Sequence, residues 1–195
     1  MNDEAPSHST LDEEHLAPLA IRFMNALERR RAGQLDRASE ELRSILRVEP
    51  RLAEPHMELA SIHLAMEQPE RGLEHAREAV RLLESSARWN EDLPENVLKS
   101  LAHNLLGEAM RKMADQDSVV FGAPEKWKTL MEQAKHAFRT AAALDPENQH
   151  ASWAAFGFGP QADEDAEPAD GSTDIPALDL VGLVALHEGN AAGEE

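Results

Sequence analysis

The sequence contains no cysteine and no tyrosine, and aromatic residues make up only 4% of its 195 residues. Without cysteine the chain has neither a disulfide framework nor a thiolate metal site, which fits a reducing compartment. A core with so few aromatic rings must be built mainly from Leu, Ala, Met, Val and Ile. Because this set of residues favours helices over strands, the composition predicts an all-α fold.

Long apolar runs are missing as well. No stretch approaches the roughly 20 residues that a helix needs to span a bilayer. The N-terminal sequence MNDEAPSHSTLDEEHL has neither the basic flank nor the apolar region of a secretory signal. We therefore expect no membrane insertion and a cytoplasmic location, and the excess of Arg over Lys together with abundant Ala hints at a bacterial origin.

Positive charge is scarce, and the formal net charge is −18. Five acids lie in residues 1–14 and ten in residues 159–195, and neither segment contains Lys or Arg. Binding to nucleic acid or to an anionic membrane relies on a surplus of basic residues, so the composition argues against both partners. Residues 15–158 are nearly balanced in charge, which predicts a folded domain between a disordered acidic N-terminus and an acidic flexible tail.

Motifs for catalysis and cofactor binding are also absent. The chain has no Gly-rich phosphate loop, no G-x-S-x-G elbow and no H-E-x-x-H motif. Its nine histidines include no pair at the i, i+4 spacing that places two metal ligands on one helical face. His56 and His103 are better explained by packing. We expect no enzymatic activity, no cofactor and no metal site.

A repeated helix ending is the clearest feature that the sequence does contain. The spacing A-x3-[LF]-x2-[AI]-x2-[LV]-x-P occurs twice, and a third copy lies between the two, 34 residues after the first. Small residues at these positions allow helices to approach closely. The copies consist of Ala38, Leu42, Ile45, Val48 and Pro50; of Gly72, Ala76, Ala79 and Leu82; and of Ala134, Phe138, Ala141, Leu144 and Pro146.

The period and spacing resemble those of tetratricopeptide repeats over roughly residues 19–146. Residues 103–110, HNLLGEAM, are similar to the first-helix motif of that family, with Leu106, Gly107 and Met110 at its L-G-x2-Y positions. The family's Trp is missing. The resemblance implies a solenoid of about three helical hairpins and a capping helix within residues 15–158. The expected repeats are 19–52, 53–86 and 100–148, with an insertion near 115–129 in the third.

Stacked hairpins of this kind expose a concave face lined by the first helix of each pair. The resemblance therefore implies a partner-binding groove for a peptide or a helix of another protein. Its expected residues are Arg30, Arg31, Met57, Ser61, Leu64, Asn104, Glu108 and Arg111. Several of them could instead contact the extra terminal segments. A clamp for a C-terminal carboxylate is disfavoured, since Ser61 stands where that clamp has Asn.

Three functions remain open at this stage. The preferred one is a protein–protein interaction adaptor or scaffold. The second is a chaperone for a secreted or membrane-assembled client, which should become more stable or soluble with its client. The third is a regulatory subunit of an enzyme or motor complex. The sequence does not indicate the partner, the pathway or the oligomeric state.

An apolar segment interrupts the acidic tail at residues 175–187. Residues 159–174 contain six acids and two prolines and are typical of a flexible tether. The segment after them is too short to cross a membrane. It has three interpretations: a motif for a partner's groove, a strap that docks on the protein's own helices, or a patch without function. Its apolar residues are Leu178, Leu180, Val181, Leu183, Val184 and Leu186.

Overall fold

The computed structural model describes residues 13–85 and 93–157, which form eight helices and contain no strand. The all-α prediction is confirmed for this part of the chain. The acidic ends, the segment 175–187 and the link 86–92 lie outside the described residues. The helices are α1 (Glu13–Arg31), α2 (Leu35–Val48), α3 (Ala53–Ala65), α4 (Pro69–Glu84), α5 (Glu95–Ala114), α6 (Asp117–Val120), α7 (Pro124–Leu144) and α8 (Gln149–Gly157).

The chain divides into two compact units, the first ending at Pro50 and the second beginning at Arg51. The first unit contains one hairpin, in which α1 packs against α2. In the second unit α3 pairs with α4 and α5 pairs with α7, while α5 also packs against α4 and α3. Helix α8 packs against α7 and touches α5. The predicted insertion contains the short α6, and α7 begins at Pro124, a residue that suits the first turn of a helix.

The repeated helix ending corresponds to the buried faces of α2, α4 and α7. In each copy the first three positions are buried, from Ala38 in α2 to Ala141 in α7. The last position differs between copies: Val48 is 62% exposed at the end of α2, whereas Leu82 is only 2% exposed. The shared spacing therefore marks the buried side of each of these three helices. Val48 is the exposed exception, and it lies at the end of α2.

Two glycines on helices allow close helix–helix approach within the second unit. A methyl group placed on Gly72 of α4 would lie 2.8 Å from Cδ2 of Leu64 on α3. A methyl group on Gly107 of α5 would lie 2.8 Å from two ring carbons of Phe138 on α7. Phe138 is fully buried, so the α5–α7 contact leaves no space for a side chain at position 107.

The turns after α1 and α3 have the same geometry, 34 residues apart. Gly33 and Glu67 both adopt positive φ, at 72° and 54°. In the first turn the N–H of Gln34 donates to the Arg29 carbonyl at 2.9 Å, and in the second the N–H of Gln68 donates to the His63 carbonyl at 2.8 Å. These bonds define the Schellman ending of a helix, in which glycine is the favoured residue.

Substitutions at Gly33 and Glu67 should change the free energy of unfolding in opposite directions. Gly33→Glu should lower the free energy of unfolding by about 1 kcal/mol, because a side chain is disfavoured at positive φ. Glu67→Gly should raise it by about the same amount, less the small value of the exposed ion pair that Glu67 forms with Lys112. Urea denaturation of both variants tests this, with Glu67→Asn expected to lie between wild type and Glu67→Gly. If Gly33→Glu and Glu67→Gly changed the free energy of unfolding by the same amount in the same direction, the Schellman assignment would be wrong.

Candidate functional site

Three of the predicted groove residues lie on one face of α5. Asn104, Glu108 and Arg111 are four and three residues apart, so their side chains emerge on the same side of the helix. Asn104 and Glu108 are each only 3% exposed, and Arg111 is partly exposed. A largely buried polar row therefore lies on a helix whose other positions are mostly apolar. We call Asn104, Glu108 and Arg111 the α5 polar row.

Glu108 is the centre of a charged network. Nη2 of Arg111 donates to Oε2 of Glu108 at 2.9 Å, and Nε2 of His150 on α8 lies 2.9 Å from Oε1. Burial by itself raises the pKa of the Glu108 carboxyl, but the hydrogen bond from His150 and the charge of Arg111 outweigh it, so that the pKa is lowered. Glu108 is thus an anion that links α5 to α8.

Two atoms of the α5 polar row have no hydrogen-bond partner among the described residues. They are Oδ1 of Asn104 and Nε of Arg111. Buried polar atoms are nearly always hydrogen-bonded in folded proteins, and leaving one without a partner costs free energy. The row therefore retains one acceptor and one donor that a ligand could satisfy.

A second network holds the start of α8 next to this row. The hydroxyl of Ser100 on α5 donates to the Ala141 carbonyl of α7 at 2.8 Å, and Nδ2 of Asn148 donates to the Ser100 oxygen at 2.9 Å. Oδ1 of Asn148 accepts from the N–H of Ala151 at 3.0 Å, which caps α8. The sequence analysis missed Asn148 and His150, although an Asn just before a helix is a recognisable capping signal.

A cleft of about 310 Å³ lies beside Arg111, between the turn after α3 and the end of α5. Ion pairing of Lys112 with Glu67 at 2.9 Å and a hydrogen bond of Gln116 to Glu70 at 2.7 Å join the two sides. This hydrogen bond from Gln116 is the main cause of the lowered pKa of Glu70. The cleft is lined by Glu67, Pro69, Arg111, Lys112, Asp115 and Gln116. It is polar, and only Arg111 of its lining was predicted as a groove residue.

The other predicted groove residues have different surroundings. Met57 is fully buried in the core cluster, and Leu64 is 7% exposed beneath Gly72, so neither offers surface to a ligand in this conformation. Ser61 is half-buried on α3. Arg30 and Arg31 end α1 in the first unit. The structure therefore brings together the α5 members of the predicted set and not all of it.

Two histidines of α3, His56 and His63, meet His75 of α4. Nδ1 of His56 lies 3.0 Å from Nδ1 of His75, and the rings of His63 and His75 are stacked with centroids 5.6 Å apart. Nδ1 of His63 is also 3.0 Å from Oε1 of Gln68. No group of three or more ligand-type residues in the described part of the chain is arranged to hold a metal ion. The ring contacts of His75 with His56 and His63 join α4 to α3.

Together, these observations show that the described residues are helical and that the second unit carries a largely buried polar row beside a polar cleft. No described helix has the length and apolar character needed to cross a bilayer. Comparison of the chain with protein-family models, with curated proteins and with solved structures finds no match.

Proposed function

We propose that this protein is a non-enzymatic adaptor or scaffold that binds an extended peptide segment of another protein. The binding face lies in the second unit and is centred on the α5 polar row. The architecture that we propose for it is a stack of tetratricopeptide-like hairpins closed by α8. Support comes from the shared burial pattern of α2, α4 and α7, from the close α5–α7 contact at Gly107, and from the turn that recurs after 34 residues.

The observation that carries the proposal is the pair of unused polar atoms on α5. Oδ1 of Asn104 can accept a hydrogen bond and Nε of Arg111 can donate one, and neither atom has a partner within residues 13–85 and 93–157. Seven helical residues separate them, about 10 Å along the axis, which is about three residues of extended chain. A peptide backbone offers an N–H and a carbonyl at this separation. Because both atoms are buried, binding would require the Asn104 and Arg111 side chains to rotate towards the ligand.

Glu108 has a supporting role in this site. Its carboxylate holds one end of the Arg111 guanidinium at 2.9 Å, which orders the side chain before a ligand arrives. Preordering lowers the entropic cost of binding. The adjoining cleft continues past Arg111 and presents charges of both signs, including Lys112 and Asp115. We therefore expect the bound segment to be polar at the end that enters the cleft.

The test is selection of a random-peptide display library on the full chain. Peptides that bind should lose at least tenfold in affinity when Asn104 is replaced by Leu. Because that substitution removes an unpaired buried polar atom, it should leave the thermal stability unchanged or raise it. Methylation of a single backbone nitrogen in the peptide should reproduce the loss.

The matched control is Arg77→Ala on the exposed face of α4, which should bind the same peptides as wild type. Peptides that bind Asn104→Leu as tightly as wild type would exclude the α5 polar row as the binding site. Failure of the library to yield any binder to the folded full chain would count against the proposal as a whole.

A further inference from the structure

Helix α8 and the residue before it make two side-chain contacts with the face of α5 that carries the α5 polar row. Nδ2 of Asn148 donates to Oγ of Ser100 at 2.9 Å. Nε2 of His150 lies 2.9 Å from Oε1 of Glu108. Ser100, Asn104 and Glu108 follow one another at intervals of four residues, so they share this face. The two contacts therefore lie on either side of Asn104, and the start of α8 passes α5 next to that residue.

The Glu108 carboxylate is shared between α8 and the rest of the α5 polar row. Its Oε1 atom faces His150 of α8, whereas its Oε2 atom accepts from Nη2 of Arg111 at 2.9 Å. Glu108 is only 3% exposed, although the His150 side chain beside it is 41% exposed. Movement of α8 away from α5 would therefore leave Oε1 open to another hydrogen-bond donor while Arg111 stays paired.

Helix α8 depends on its contacts with the rest of the second unit. It has nine residues, fewer than the roughly 12–15 that a helix needs to be stable by itself in water. Its first turn is held by the Asn148 side chain, by the buried Ala151 and by an edge-on contact between the His150 and Phe138 rings, with centroids 6.4 Å apart. The four residues 145–148 join it to α7. A short helix of this kind can detach by local opening, which requires less free energy than global unfolding.

We propose that α8 is a displaceable lid on the α5 polar row, and that a segment of another protein binds there by replacing the contacts of α8. This inference rests on the proposed function and adds its regulation and the chemistry of the partner. The partner donates a hydrogen bond to the anionic Glu108 in place of His150, so a His, Lys or Arg side chain fits this position, whereas Asp or Glu is repelled. Asn104 lies between the two contacts, and its Oδ1 atom, which has no partner among the described residues, accepts from the incoming backbone.

Docking of α8 and binding of the partner exclude each other in this arrangement. The apparent affinity for the partner is therefore reduced by the fraction of molecules in which α8 is docked. Substitutions that weaken the attachment of α8 should raise the affinity. If α8 only supported the structure of the α5 polar row, the same substitutions would lower the affinity or leave it unchanged.

The first measurement is amide hydrogen exchange on the full chain, without any ligand. Amides 153–157 of α8 should exchange at least about tenfold faster than amides 130–141 of α7, because α8 opens locally. Asn148→Ala together with His150→Ala should speed the exchange of α8 by about a further tenfold, since two hydrogen bonds are lost, and should leave α7 unchanged. His136→Ala removes an exposed imidazole from α7 and is the matched control. Equal protection of α8 and α7 in the wild-type chain would overturn the proposal.

The second measurement titrates a synthetic peptide with the sequence of residues 145–157 into the full chain, followed by the amide resonances of Asn104 and Glu108. The peptide should bind the Asn148→Ala, His150→Ala double variant about tenfold more tightly than wild type, because the variant's own α8 competes less. A peptide that carries His150→Asp should not bind, because its carboxylate would meet the anionic Glu108. Equal affinities of the unaltered peptide for the double variant and for wild type would overturn the competition between α8 and a partner.

The peptides selected from the display library separate the lid from the proposed function. If they bind the double variant about tenfold more tightly than wild type, α8 covers their binding site. If they bind both proteins equally, the lid is overturned and the proposed function stands. If the library yields no binder while the peptide 145–157 still prefers the double variant, the proposed function fails and the lid stands, with α8 itself as the occupant of the α5 polar row.

Discussion

Gly107→Leu is expected to lower the free energy of unfolding by about 2–3 kcal/mol, because overpacking at a close helix contact forces neighbouring side chains out of their rotamers. Even one added carbon at this position would lie 2.8–2.9 Å from three carbons of the Phe138 ring. That ring is fully buried on α7, so moving it would displace its neighbours. Equilibrium urea denaturation measures the loss.

Combining this change with Phe138→Ala tests the contact itself. Phe138→Ala alone should cost about 3–5 kcal/mol through the cavity that it leaves. In the double variant the new Leu side chain can enter that cavity, so the combined loss should be at least about 1 kcal/mol smaller than the sum of the single losses. Gly72→Ala is the comparison, since its neighbour is the flexible end of Leu64. Additive losses would mean that residues 107 and 138 are not in contact.

Glu108→Ala is expected to cost about 2 kcal/mol of stability. Removing one partner of a buried ion pair typically costs 3–5 kcal/mol, and the partial exposure of Arg111 reduces that figure because its guanidinium can reach water. The hydrogen bond with His150 is lost as well, which loosens α8. Glu74→Ala on the exposed face of α4 is the matched control and should stay within about 0.5 kcal/mol of wild type.

Because Glu108 is held as an anion, the free energy of unfolding should depend on pH in the acid range. Since the pKa of Glu108 is lowered in the folded state, its contribution is fully present above the ordinary carboxyl pKa of 4.5 and is lost as pH falls through the lowered folded value. Glu108→Gln keeps the size of the side chain but cannot ionise. Its stability difference from wild type should therefore shrink between pH 7 and pH 3. A difference that stays constant over this range would show that the carboxylate is not held as an anion.

The helical class could be predicted, because helix formation and helix ends depend on local chemistry. Gly33 ends the first hairpin's opening helix, and Pro69 and Pro124 begin α4 and α7, as the sequence indicates. The short α6 was not predicted, because four residues carry too little periodicity to distinguish a turn from a helix.

The candidate site was predicted only in part. Helical spacing was enough to place Asn104, Glu108 and Arg111 on one face of α5. The resemblance to tetratricopeptide repeats placed Met57 and Leu64 in the expected partner-binding groove, yet both are buried in the core cluster. Helix α3 is buried on almost every side, so the spacing of its apolar residues does not reveal which side faces the solvent. His150 could not be linked to Glu108 at all, since 42 residues separate them.

The sequence by itself determined the helical class, the boundaries of the helices and the spacing of their buried faces, because these depend on neighbours within a few residues. It also determined the uneven distribution of charge between the centre of the chain and its ends. Only the tertiary structure decided which ring blocks Gly107, which histidines meet between α3 and α4, and which polar atoms of α5 have no partner in the described part of the chain. Those features depend on the distance and angle between neighbouring helices. The packing of entire helix surfaces sets this geometry, and no local stretch of sequence determines it.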